Sequence, residues 1–142
     1  MDATRRQGRL CPRVIALIAV GFGLLTIREG GLILFGDAAA RAAAGNYVPF
    51  VLWFNFLAGF AYVVAGTGLW GMRRWAVWLA TAIAVATGSV FAAFGVHILT
   101  GGAFEPRTVV AMSVRTAVWA AIAIVAWRRL RRARGVFGKA GS

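Results

Sequence analysis

Acidic residues are nearly missing. Asp2, Glu29, Asp37 and Glu105 are the only four in 142 residues, against sixteen basic ones. Charged residues of either sign make up 14% of the chain and hydrophobic ones 61%. A soluble domain averages roughly 25% charged and 45–50% apolar residues, because its surface must stay wet. This composition excludes an ordinary soluble core. One cysteine, Cys11, leaves no internal disulfide and no CxxC pair, and reads as an ordinary thiol near the membrane surface. One histidine, His97, excludes a bis-histidine haem within the chain and any HxxxH pairing. GxSxG, Walker and dinucleotide-binding patterns are absent too. No residue stands out as catalytic and no metal site or cofactor is expected, so the chain reads as a non-enzyme.

What is present is apolar length. Four stretches run over about residues 14–36, 47–70, 75–99 and 108–127. Each has the roughly 20 residues that a helix needs to cross about 30 Å of hydrocarbon. Helices are required because lipid offers no partner to a free backbone amide. None of the stretches alternates polar and apolar residues as a barrel strand would. The expected fold is therefore an all-α integral membrane protein, a bundle of four transmembrane helices running up and down. A basic tail precedes it at residues 1–13 and another follows at 128–142. Gly71–Arg74 and Thr100–Arg107 form short links, and Pro106 suits a helix start. The small-residue stretch Ala38–Ala44 lies well past the first apolar run, so the first span is expected to stay uncleaved.

The net charge of +12 is not a nucleic-acid signal, since the arginines sit at span ends rather than on a folded polar face. Twelve basic residues fall in the two tails and the Gly71–Arg74 link, and only Arg41 and Arg107 fall on the opposite side. By the positive-inside rule both termini are cytoplasmic. The wealth of Ala, Gly and Arg points to a bacterial inner (plasma) membrane. The tail arginines Arg128, Arg129, Arg131, Arg132 and Arg134 are expected to contact anionic lipid headgroups, each worth about 1 kcal/mol near the surface.

Charge inside hydrocarbon costs about 2.5–3.5 kcal/mol per residue on insertion scales, so the exceptions are informative. Arg28 and Glu29 lie roughly 22 Å into the first span. Asn55 lies about 12 Å from the outer end of the second. Arg115 is at a comparable depth in the fourth, His97 is near the outer end of the third, and Glu105 and Arg107 are on the rim. The polar groups thus share the outer half of the bilayer. Asn55, Gly59, Tyr62 and Gly66 repeat at i, i+4, i+7 and i+11, one small and polar helix face suited to close contact. Ala80, Ala84, Gly88 and Ala92 form a second small-residue stripe. Arg28 and Glu29 are neighbours and should point apart. Glu29 is then expected to reach Arg115 or His97, and Arg28 to reach Glu105 or the headgroups.

Two functional classes fit. The first is an accessory or structural membrane protein, a homo-oligomer or a subunit of a larger membrane complex, in which the polar cluster only ties helices together. The second is a binding or transport module whose outward-facing pocket takes an anionic or quinone-like ligand at Arg28, Glu29, Asn55, His97 and Arg115. The charge bias makes a direct prediction. Reporter fusions at Ser142 should register cytoplasmic and fusions within Ala38–Gly45 external; a periplasmic carboxyl end would overturn the assignment.

Overall fold

The structure, a computed structural model, describes the backbone from Asp2 to Gly138 and side chains from Leu10 to Arg132. Among these residues there are five helices and no strand: α1 (Asp2–Phe35), α2 (Ala38–Ala44), α3 (Pro49–Trp70), α4 (Arg74–Leu99) and α5 (Pro106–Gly138). Four are long and apolar enough to cross a membrane, over Leu10–Phe35, Pro49–Trp70, Arg74–Leu99 and Pro106–Arg132. Helix start signals sit where they should. Pro49 occupies the first turn of α3, where its missing N–H costs nothing. Two boundaries differ from the expected ones. The described parts of the basic tails, residues 2–13 and 128–138, are helical extensions of α1 and α5, because adding a residue to an existing helix is cheap for Arg, Ala and Leu. The stretch at 38–44 is not a plain loop but the short helix α2, capped by the Asp37 carboxylate accepting from the Ala40 N–H at 2.9 Å.

The tightest pairing is α1 on α3. A methyl group added at Gly59 would stand 2.7 Å from Ile27 Cγ1 and 3.1 Å from the Gly23 carbonyl oxygen. One added at Gly66 would meet Val20 Cγ2 at 2.6 Å and the Ala16 carbonyl at 3.0 Å. The contacts run Ala16 to Gly66, Gly23 to Gly59 and Gly30 to Phe56, so the two helices run in opposite directions. The face formed by Gly59, Tyr62 and Gly66 is buried in this seam, as its spacing implied. α3 also packs on α4, and α4 on α5, whereas α1 and α5 do not form a close pair.

On α4 the small-residue stripe is only partly the buried face. Ala80 is fully buried, but Gly88 has open space beside it and Ala92 is exposed. The face that packs inward runs through Ala76, Ala80, Ile83, Thr87 and Phe94. Larger side chains won because α4 faces Tyr62 and Trp119 and must fill the space between them. A core of Ala16, Ala19, Tyr62, Leu69, Val77, Ala80 and Trp119 fills the half of the bundle nearer the tails. A smaller one of Val48, Val51, Phe94 and Met112 lies toward α2.

Glycine substitutions separate seam from open surface. Gly59→Val should lower stability by about 1–3 kcal/mol through overpacking. Gly88→Ala should leave it unchanged or raise it by up to about 1 kcal/mol. Thermal unfolding in detergent reads both, and equal effects would contradict the packing described.

A candidate anion site between α1 and α5

Three helices present stripes at helical spacing to one cavity of about 690 Å³. α1 contributes Phe22, Thr26, Glu29 and Ile33; α3 contributes Val51, Leu52 and Asn55; α5 contributes Arg107, Ala111, Val114 and Arg115. Ala40, Ala43 and Ala44 of α2, with Tyr47 and Val48, close the end. The volume lies within the 300–1,000 Å³ typical of small-molecule pockets, and the walls are mostly apolar with few polar groups, as such pockets are.

Arg115 is the chemical centre. Its side chain is only 9% exposed. One terminal nitrogen donates to Thr26 Oγ1 at 3.2 Å, and the other lies 3.8 Å from Met112 Sδ, a weak acceptor. The guanidinium carbon stands 5.5 Å from the Phe22 ring centroid, a cation–π arrangement. Arg115 Nε has no hydrogen-bond partner, and neither has the buried Asn55 Oδ1. Among the described residues no carboxylate lies within ion-pair distance of this guanidinium.

That geometry corrects the pairing expected from depth. Glu29 does line the cavity, yet its Oε1 binds Arg28 Nη1 at 3.0 Å. Both side chains are about two-thirds exposed, at 68% and 67%. Adjacent residues diverge at Cβ, but two long exposed side chains can bend back to meet above the helix. Arg28 therefore does not reach Glu105. Glu105 Oε1 accepts from the Asn46 N–H at 2.8 Å, and Arg107 Nη2 donates to the Ala43 carbonyl at 2.6 Å. These two bonds fasten α2 over the cavity. Gly45, at φ 69°, is required here: a side chain would be strained and would run into the Glu105 carboxylate.

The other expected members are dispersed. His97 Nε2 donates to the Ala103 carbonyl at 3.1 Å and shapes the α4–α5 turn, away from the cavity. Tyr62 is fully buried against Trp119, ring centroids 4.6 Å apart, and does not line the cavity. Its hydroxyl and Thr87 Oγ1 are buried close to each other, and Trp119 Nε1 is buried without a protein hydrogen-bond partner. In the tail, Arg128 and Arg131 border a small apolar groove of about 330 Å³ beside Thr81, Ala123 and Trp127. Arg132 is exposed and Arg129 half-buried, while the Arg134 side chain lies outside the described residues. Thr26 was not anticipated. Its signal was present: it sits between Gly23 and Gly30 at i+3 and i+7 on the helix face that packs inward.

Comparison with protein families, curated proteins and solved structures finds no match for the chain. The site's chemistry therefore rests on its geometry. A double-mutant cycle tests that geometry. Arg115→Ala and Glu29→Ala should add to within about 0.5 kcal/mol, since they do not touch. Arg115→Ala and Thr26→Val should couple by about 1 kcal/mol or more, as a charge-assisted hydrogen bond does. Coupling of Arg115 to Glu29 instead would mean that the arginine is neutralised internally.

Proposed function

We propose that this chain is a multi-pass protein of the bacterial inner membrane, an up-and-down bundle with both tails in the cytoplasm, that binds an anionic ligand in the cleft between α1 and α5. The basic bias of the tails and of the Arg73–Arg74 link supports the orientation. That orientation turns the α2 end of the cleft outward. One observation carries the binding reading: Arg115 is nine-tenths buried, borders a cavity, and lacks a carboxylate partner among the described residues. A guanidinium stays charged at any accessible pH. In an apolar setting that charge is costly until an anion or several acceptors meet it. Thr26 and a thioether supply a partial answer, with Nε left over. A carboxylate or phosphate in the cleft would complete it by accepting from the second N–H of a terminal nitrogen, since each terminal nitrogen carries two and makes one contact. A quinone carbonyl is the weaker fit, because it accepts a hydrogen bond without bringing a countercharge.

The accessory or structural reading needs the polar groups to pair off and fill the space between helices. Glu29 and Arg115 instead leave a cavity between them. Purification in native lipid followed by native mass spectrometry tests the proposal. The expected result is one small anionic molecule per chain, lost in Arg115→Gln. Release of only a partner protein, with the ligand mass absent, would return the chain to the accessory class.

A further inference from the structure

We infer that the ligand is a membrane-resident amphiphile with an anionic head and a single chain, admitted sideways between α1 and α5 rather than from water. The inference rests on the reading of the cleft as an anion site and adds its route and ligand class. The end of the cleft is covered. α2 lies across it, with Ala44 and Val48 buried beneath, and is fastened by Arg107 to the Ala43 carbonyl and by the Asn46 N–H to Glu105. The side is different. Leu25, Leu32 and Val114 all line the cavity, yet they are 60%, 50% and 49% exposed. Apolar residues that both line a cavity and face outward mark its opening. They lie on α1 and α5, two long helices that do not pack closely together. In a membrane-spanning bundle such an opening faces acyl chains.

The interior fits the same molecule. Arg115 of α5 and Thr26 of α1 meet across the cleft and would hold an anionic head. Above them Ile33, Val51 and Leu52 are apolar and suit a hydrocarbon chain. A small hydrophilic anion would leave those walls bare, whereas a hydrocarbon chain covers them. The capacity of about 690 Å³ is that of one small-molecule ligand.

The test uses the full-length protein in phosphatidylcholine vesicles with a photoreactive palmitate, and digestion to map the label. Label should map to peptides carrying Leu25 and Val114. Oleate should compete, while inorganic phosphate and acetate should not. Arg115→Gln should cut labelling by about tenfold or more, the cost of one charge-assisted hydrogen bond. Val114→Trp, a change on an exposed position that leaves the core intact, should reduce it comparably by narrowing the opening. If phosphate or acetate displaces the probe as well as oleate does and Val114→Trp has no effect, lateral entry is overturned and the anion site stands. If labelling is indifferent to Arg115→Gln and Thr26→Val, and no small anion binds, the anion site falls with it.

Discussion

Backbone contact between α1 and α3 is available because Gly23, Gly59 and Gly66 carry no side chain at the crossing. Lipid tails are as apolar as leucine, so helices in a bilayer gain little from hiding apolar surface and associate by van der Waals fit and hydrogen bonds. The glycine seam supplies that fit. It also commits α1 to one neighbour. Drawn against α3, α1 cannot also close on α5, whose own partner is α4. The space left over is the cleft, and Arg115 faces it from α5. Packing at one interface thus creates the polar site at another. Thr26 shares its helix with the seam glycine Gly23, so the seam also sets where the one hydroxyl that meets Arg115 stands.

Much of the scaffold was legible in the sequence for reasons that do not depend on context. A helix able to cross a membrane needs about 20 apolar residues whatever it packs against, so all four such helices were visible within a few residues of their ends. The small face of α3 was visible because only close approach rewards glycine at helical spacing. Arg115 stood out because charge in hydrocarbon is expensive anywhere. What stayed hidden depended on side-chain reach and on neighbours. Depth placed Glu29 level with Arg115, yet depth says nothing about azimuth, and Glu29 found Arg28 at 3.0 Å instead. The α4 stripe failed from Gly88 onward because residue size alone does not say which face meets a bulky neighbour. α2 escaped notice because seven residues of mostly alanine carry no amphipathic pattern; its capping aspartate was the available clue.

The polar groups also divide by task, and their partners show which is which. Arg107, Glu105 and His97 bond backbone groups at helix ends and turns and act as fasteners. Arg28 and Glu29 neutralise each other at the surface, where an exposed ion pair contributes about 0–1 kcal/mol. Arg115 alone among the charged residues described is both buried and beside open volume. Its neighbour Phe22 stacks in turn near Tyr62 at 6.2 Å, and Tyr62 lies against Trp119. Aromatic rings stabilise a cation without consuming its hydrogen-bond donors. Arg115 is thereby held in place while its terminal nitrogens keep N–H groups that no protein acceptor takes.

The two hydrogen bonds that fasten α2 have a mechanical consequence. They span 59 and 64 residues of chain, whereas α2 joins α1 through the short bend at Gly36 and Asp37. α2 is therefore a strap: covalently part of the α1 side, latched to the α5 side. Asn46, Arg107 and Ala43 are exposed, so water can replace either latch bond at a net cost of about 0.5–1.5 kcal/mol. The α1–α3 seam has no such solvent substitute, since it is held by close packing of glycine backbone against Val20, Ile27 and the facing backbone. Thermal fluctuation is thus channelled to the rim of the cleft, and the seam acts as the fixed edge about which it breathes.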